Sequence, residues 1–519
     1  MTLREMTKNK GSEDLKLTRP GLIPTLDAKW MTMENVSEET LIRRAGAAVA
    51  KEIAAVYDGG EILILAGGGN NGADGYATAL ALFDMGIPSC VADVFGKGQR
   101  SEGGNAVLAA YRALYGEPIT REAVFKRSPA ILVDAMLGSG ATGAISDEAR
   151  IVGKWMATQN AFKVAIDIPL GVDADYGEVQ PYALSADLTV VLSVMKRGIL
   201  SYPAKGYCGR TVLATLDLPQ ELAREFCCAR TTDSAYVRAH LPKREANSHK
   251  GSFGRLQVFG GSKRYRGAAH LTASGALRMG VGLLRLSTEE DVLKLAGKRL
   301  PELLMDPVAP ISEWTDEMRA EGVRRCEDAS AVVIGPGCGV SEGLYRFTDM
   351  LVHTSGVPLL LDADALGAIA AYAEDVDAFF ATARRELALT PHPLEFARLI
   401  GETTANVQAH RMRLVSEYSE KWNVSLLLKG AGTLIAGRGE LIINTTGSSA
   451  LAKGGSGDVL SGAVGALLAL GCPTCEALAM AAYLHGAAGE SLAEEVSVYG
   501  VLPSELPKRM AEILANILA

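Results

Sequence analysis

The sequence predicts an α/β protein built from two doubly wound domains, and three observations predict it. The chain has 519 residues, more than one hydrophobic core normally spans, so at least two domains are expected. Short apolar runs alternate with helical patterns in both halves, as in parallel strands covered by helices on both faces. The alternation fails once, from about Leu218 to Ser248, where the pattern turns charged and irregular before it restarts.

In chain order, the first half offers strands at "EILILAG" (Glu61–Gly67), "SCVADVFG" (Ser89–Gly96), "AILVDA" (Ala130–Ala135), "KVAIDI" (Lys163–Ile168) and "DLTVVLS" (Asp187–Ser193). Periodic stretches at Asp74–Met85 and Gly104–Leu114 read as helices between them, giving a Rossmann-like layer. The second half offers "RLQVFGG" (Arg255–Gly261), "AVVIGPG" (Ala331–Gly337), "PLLLDAD" (Pro358–Asp364), "LALT" (Leu387–Thr390) and "VSLLLKG" (Val424–Gly430). A boundary near Cys228 gives domains 16–228 and 229–519, with no internal repeat and a polar tail before Lys16.

Composition narrows the function. With 48% hydrophobic and 22% charged residues the chain resembles an ordinary globular protein, and its net charge of -8 argues against nucleic acid as a partner. No apolar run is long enough to cross a bilayer and the N-terminus lacks the apolar core of a signal peptide, so a cytoplasmic protein without a membrane partner is expected. Eight cysteines are too few for a disulfide scaffold; Cys472 and Cys475 form a CxxC without a second pair at zinc-ribbon spacing.

Ligands of open α/β sheets bind beyond the carboxyl ends of strands, so the polar residues after each apolar run matter most. In the first half, "AGGGNNGADGYA" places Asn70, Asn71, Gly72, Ala73 and Asp74 where a helix is expected to begin near Asp74. Glycines allow close approach and a helix N-terminus attracts phosphate, although no Gly-Lys-Ser/Thr follows and the run is not a P-loop. "LVDAMLGSGATG" leaves Asp134 at a strand tip before Gly138, Ser139, Gly140, Ala141, Thr142 and Gly143; "AIDIPLGVDAD" leaves Asp167 at another. Either acid alone reads equally as a helix cap or a satisfied turn residue. Their recurrence along one sheet edge favours a pocket.

Together, "NNGADG", "DAMLGSG" and "DIPLGVDAD", with the upstream "LIRRAGAAVA", resemble the NAD(P)H-hydrate epimerase family over about Lys16 to Cys228. The resemblance implies that Asn70 to Asp74 and Gly138 to Gly143 hold a dinucleotide hydrate and that Asp167 does acid/base work on the nicotinamide ring. It also implies a potassium ion, K+, coordinated by Asn71 and Asp134. Leu170 stands where that family usually has a cation-binding serine, and offers only its backbone carbonyl.

In the second half, "VIGPGCG" contains Gly337, and a small-residue helix is expected to start near Ala268. "LLLDADAL" puts Asp362 and Asp364 two apart, on one side if the strand persists that far, and "LTPHPLE" sets His392 between two prolines. "GGSGD" places Gly454, Gly455, Ser456 and Gly457 before Asp458 at a helix entrance. Exposed NH groups and the helix dipole suit the charge of a transferring phosphoryl group, and Asp458 supplies a base for the attacking hydroxyl.

With "HKGSFG", "GGSKRYRGAA", "KGAGT" and "TGSSALAKGGSGDVLSG", these motifs are similar to the ADP-dependent NAD(P)H-hydrate dehydratases of the ribokinase-like superfamily, over roughly 270 residues. The resemblance implies a ribokinase-like three-layer second domain in which Ala268, Gly337, His392 and Asp458 line the substrate site. Lys429, Gly430, Ala431, Gly432 and Thr433, with the loop from Thr446 to Gly457, would bind the nucleotide. Ser448, Ser449 and Ala450 replace the family's frequent Asn-Pro-Gly, and Lys453 a frequent threonine, read as tolerated variation near the phosphates.

The implied chemistry uses ADP to phosphorylate the C6 hydroxyl of NADHX or NADPHX, with Mg2+ on the diphosphate, and regenerates NAD(P)H with AMP and phosphate as products. The epimerase domain would supply the S epimer from R, and both families tend to form homo-oligomers. Two alternatives stay open: a kinase for a vitamin-precursor alcohol in the second domain, and a first domain that only binds dinucleotide because of Leu170.

Overall fold

The apolar runs of the first half become a seven-stranded parallel sheet. β1 (Lys16–Thr18) lies outside it; β2 (Ile62–Ala66), β3 (Ser89–Asp93), β4 (Ile119–Thr120), β5 (Ile131–Ala135), β6 (Phe162–Ile166), β7 (Leu188–Leu192) and β9 (Arg210–Ala214) are arranged in the order β4-β3-β2-β5-β6-β7-β9. β2 and β5 are buried at every residue, which is why their runs are uninterrupted rather than alternating. The strand order reverses between β2 and β5, opening the crevice that doubly wound sheets use for ligands. β8 (Met195–Lys196) pairs in parallel with β1, which pairs antiparallel with β10 (Ala229–Thr231).

The second half contributes β11 (Arg255–Phe259), β12 (Leu283–Thr288), β13 (Leu304–Pro307), β14 (Ala331–Ile334), β15 (Leu359–Leu361), β16 (Leu387–Leu389), β17 (Ser425–Leu428), β18 (Leu434–Gly437) and β19 (Glu440–Ile443), neighbours in the order β13-β12-β11-β14-β15-β16-β17-β18-β19. The ladder is parallel through β17 and antiparallel at β17/β18 and β18/β19. Two small-residue helices, Arg266–Arg278 and Ser456–Ala469, cross so closely that a Cβ on Gly462 would stand 1.9 Å from the Thr272 carbonyl oxygen.

The computed structural model describes residues 16–95, 100–141, 143–354, 356–383 and 386–519. The tail before Lys16, Gly96 and Thr142 lie outside the described residues. The chain divides between Arg230 and Thr231, two residues past the boundary expected at Cys228. Two expectations need correction. The first glycine-rich loop is helical from Asn70, not from Asp74, so "NNGAD" is the first turn itself. β15 stops at Leu361: Ala363 takes φ 48 and Asp364 opens the helix Asp364–Tyr372, so Asp362 and Asp364 do not share a strand face. No described helix is long and apolar enough to cross a membrane.

Candidate active sites

At the carboxyl edge of the first sheet, the tips of β2, β5, β6 and β7 border a cavity of about 590 Å³. Asn70, Asn71 and Asp74 line it from the helix after β2, and Gly138, Ser139, Gly140 and Ala141 from the loop after β5. Asp167 lies at its wall after β6. The chain bends sharply there: Asp167 has φ 67, a left-handed conformation that a non-glycine residue seldom adopts outside constrained sites.

Asp167 is held from both sides. Its Oδ1 accepts from Lys196 Nζ at 2.5 Å and from the Leu192 amide at 3.3 Å, while Oδ2 accepts from the Ser139 amide at 3.1 Å. Burial would raise its pKa, but the adjacent ammonium and these hydrogen bonds outweigh it and hold the carboxyl below its ordinary value. Asp27 and Asp74 border the same cavity and go the other way. Burial pushes Asp27 up to about 6, against the pull of Lys196, and raises Asp74 well above the carboxylate range.

The expected cation ligands are placed differently. Asn71 is buried and neither atom of its amide has a hydrogen-bond partner, so the side chain is ready for an outside ligand. Asp134 is fully buried and is not among the residues lining the cavity; its carboxylate accepts from the Met136 amide at 3.1 Å and the Leu170 amide at 2.7 Å. Its pKa is pushed up to about 6 by burial, against those two bonds. Leu170 packs its side chain in an apolar cluster and its carbonyl accepts from the Leu184 amide at 2.9 Å, so a serine's hydroxyl is missing but the turn is intact.

In the second sheet, the tips after β11, β14, β15, β16 and β17 carry the glycine turns and acids. Gly337 and Ala268 are adjacent: a Cβ on Gly337 would stand 2.7 Å from that of Ala268. Beyond β15, Asp362 is buried and pairs with Lys429 Nζ at 2.6 Å; its other oxygen accepts from the Ser461 hydroxyl, which also donates to the Gly457 carbonyl at 2.9 Å. The helix Ser456–Ala469 begins after Gly455, whose φ of 102 would strain any side chain, and places Asp458 in its first turn.

Asp458 keeps no cation to itself. Burial, then Asp362 and Asp364, push its pKa up to about 7 although Lys429 pulls it down. Lys429 is raised above its ordinary value because Asp362, Glu395 and Asp458 outweigh its desolvation. Glu395, another cluster member that the sequence did not suggest, is pushed up to about 7, chiefly by burial. His392 is exposed and caps the helix Pro393–Ile400, its Nδ1 accepting from the Leu394 and Glu395 amides at 3.2 Å.

The two loops expected to bind nucleotide are glycine-hinged. Gly430 and Gly432 have φ 134 and 64, and the Thr433 hydroxyl donates to the Gly430 carbonyl at 3.0 Å, leaving Ala431 exposed at the tip of the turn. Arg411 braces this turn by donating to the Leu428 and Lys429 carbonyls. The Gly447 amide donates to Glu490 at 3.0 Å and Gly454 is open to added volume. Lys453 donates to the Tyr499 and Val501 carbonyls, each at 2.6 Å, so it anchors the C-terminal end of the helix Thr474–Gly500 instead of standing free for phosphate.

The sequence patterns do not single out Lys196, and they give no role to Ser461 although it stands within the motif ending "DVLSG". A lysine four residues past an apolar strand and a serine inside an apolar helix carry no periodic signal; only the partners across the fold give them meaning. Cys472 and Cys475 are both buried, and among the described residues no group of three or more His, Cys, Asp or Glu side chains gathers to hold a metal.

One parallel and one mostly parallel sheet, each carrying an acid–lysine pair beside a glycine turn at a helix entrance, define a two-domain α/β enzyme acting on nucleotide-like ligands. Residues 38–198 match the family described as YjeF-related protein N-terminus, and residues 256–512 the family described as NAD(P)H-hydrate dehydratase. The bifunctional NAD(P)H-hydrate repair enzyme Nnr of Coxiella burnetii is 32% identical over 479 residues, 91% of this chain and 94% of that protein. That of Moorella thermoacetica is 32% identical over 499 residues, covering 92% of each. A solved ADP/ATP-dependent NAD(P)H-hydrate dehydratase from Bacillus subtilis, co-crystallised with ATP and Mg2+, is 32% identical over 55% of this chain and 98% of its own, with a TM-score of 0.47. The chain belongs to the bifunctional NAD(P)H-hydrate repair enzymes.

Proposed function

We infer that this chain repairs hydrated nicotinamide dinucleotides in two steps: its first domain interconverts R- and S-NAD(P)HX, and its second dehydrates the S epimer with ADP. One observation carries the reading: Asp458, a carboxyl with pKa near 7, stands in the first turn of a glycine-entered helix beside the Lys429–Asp362 pair. A base poised near neutrality is matched to deprotonating a hydroxyl.

In the second domain, Asp458 takes the proton of the C6 hydroxyl as its oxygen attacks the terminal phosphorus of ADP. The new O–P bond forms and AMP departs. The amides of Gly454 to Gly457 and the helix dipole face the charge that builds on the transferring group. Loss of phosphate from C6 and of a proton from C5 then restores the C5=C6 double bond. A hydroxide would be a far poorer leaving group. With no three-ligand acidic cage among the described residues, Mg2+ would be held mainly by the diphosphate oxygens, whose charge it would offset.

In the first domain, Asp167 is held ionised and accepts and returns the proton needed to invert C6. Asn70 to Asp74 and Gly138 to Gly143 hold the dinucleotide. K+ would take the unpartnered Asn71 oxygen; Asp134 and the Leu170 carbonyl, the other ligands the family resemblance implies, already accept from backbone amides and would have to share those oxygens with it. The Asp167–Lys196 pair in the cavity wall favours catalysis over passive dinucleotide binding. The domain limits 16–228 and 229–519 serve as the working division between the two activities.

The test is recovery of reduced-nicotinamide absorbance from a mixture of R- and S-NADHX with ADP, Mg2+ and K+. Wild type should consume both epimers, Asp458→Ala neither, and Asp167→Ala the S epimer while slowing R to its spontaneous rate. Consumption that stops at the S epimer in wild type would refute the first domain's assignment. No consumption with any nucleotide would refute the second and favour the vitamin-kinase alternative.

A further inference from the structure

Five charged side chains line the N-terminal cavity: Asp27, Glu38, Asp74, Asp167 and Lys196. Lys196 is the one basic residue of that lining among the described residues. Carboxyls crowded together oppose one another's ionisation, so a cavity of this kind needs something to decide which of them carries the charge.

The geometry makes that decision at one atom. Lys196 Nζ stands 2.5 Å from Asp167 Oδ1 and 2.7 Å from the Leu192 carbonyl oxygen, and the Leu192 amide donates back to the same Oδ1. This closed ring orients the ammonium and the carboxylate together. The backbone that delivers the lysine is fixed as well: β8 pairs Thr18 with Lys196, and the Arg197 amide donates to the Thr18 carbonyl at 3.1 Å. Glu38 is engaged elsewhere, accepting from Asn70 and from the Gly103 amide.

A buried ion pair adds little to stability, since desolvation cancels most of the attraction. Lys196 is 1% exposed, yet it borders the cavity rather than the apolar core.

We propose that Lys196 is a positioning residue of the epimerase step: it makes Asp167, rather than Asp27, Glu38 or Asp74, the base that serves the hydroxyl-bearing carbon. This rests on the epimerase reading of the first domain. The shifts of the three acids follow the same division, with Asp167 lowered and Asp27 and Asp74 raised. Lys196 acts through Asp167, so its loss changes turnover and its pH dependence more than binding.

The experiment uses the full chain with Lys196→Met and Lys196→Arg, following the epimer ratio from pure R-NADHX by chromatography. ADP is omitted so that the dehydratase is silent. Lys196→Met is expected to lower kcat by about 100-fold with KM changed by less than about threefold, and to move the acidic limb of the profile to higher pH as Asp167 loses its cation. Lys196→Arg, which keeps the charge, is expected to stay within about tenfold of wild type with its acidic limb in place. A Met variant with wild-type turnover and profile overturns the proposal, as does a folded Arg variant that fails as badly as Met. If the Met variant does not fold, the Arg profile decides alone. Should wild type itself leave R-NADHX untouched, it is the epimerase reading that fails.

Discussion

Both domains place a lysine beside a carboxylate at the carboxyl edge of a parallel sheet, with opposite results. In the first, Lys196 pairs with Asp167, the acid assigned to the chemistry, and holds it ionised. In the second, Lys429 pairs with Asp362 and leaves Asp458, the assigned base, to titrate near 7. A carboxylate's role therefore depends less on being at a strand or helix end than on which neighbour takes the cation. On the proposed roles, one domain keeps its base charged and the other keeps a base whose proton affinity suits a hydroxyl.

The sharpest way to break this comparison is Asp458→Asn. Dehydration of S-NADHX should fall by about 10² to 10⁴-fold, the range typical of losing a general base, while R/S exchange measured without ADP is unchanged. The same variant should unfold at a higher temperature than wild type above about pH 7, since wild type must then ionise a buried acid, and lose that advantage in acid. Equal loss of both activities would mean that the two sites are not independent.

Asp362→Asn sharpens the contrast by freeing Lys429. Asp458 then loses a repelling carboxylate and gains a closer cation, so its pKa falls and the acidic limb of the dehydratase profile moves to lower pH. Turnover should fall about tenfold, because a weaker base pulls less strongly on the hydroxyl. An unmoved limb would show that Asp362 does not set Asp458's proton affinity.

Wild type alone provides a third test. As pH falls through about 7, Asp458 takes up its proton and dehydratase turnover should drop by about tenfold per unit below that point, while epimerase turnover holds because Asp167 stays ionised. Parallel decline of the two rates would contradict the different pairing of the two lysines.

The smallest effect separates packing from chemistry. Gly462→Ala places a Cβ 1.9 Å from the Thr272 carbonyl oxygen and should cost about 1–3 kcal/mol of stability, read by denaturant unfolding. Gly454→Ala meets nothing within 4 Å, so it should leave stability unchanged. Similar destabilisation by both would argue that the glycine turn before Asp458, not the helix crossing, limits this domain.

Much of this molecule was legible in the chain itself. Uninterrupted runs such as those of β2 and β5 announce buried parallel strands, because a strand covered on both faces cannot alternate polar and apolar residues. Glycines before a single acid at Gly454 to Asp458 announce a tight turn at a helix entrance, and the structure has the helix begin at Ser456 after Gly455 with its φ of 102. Strands of two or three residues, such as β1 and β8, escaped notice, since so few positions carry no period. Electrostatic roles were decided by tertiary structure alone: whether Asp134 faces the cavity, that His392 caps a helix, that Lys453 ties down a distant helix end, and which carboxylate each lysine takes. Proton affinity follows from burial and from charges a few ångströms away, and those neighbours come from segments far apart in the chain, Lys196 with Asp167 and Lys429 with Asp362.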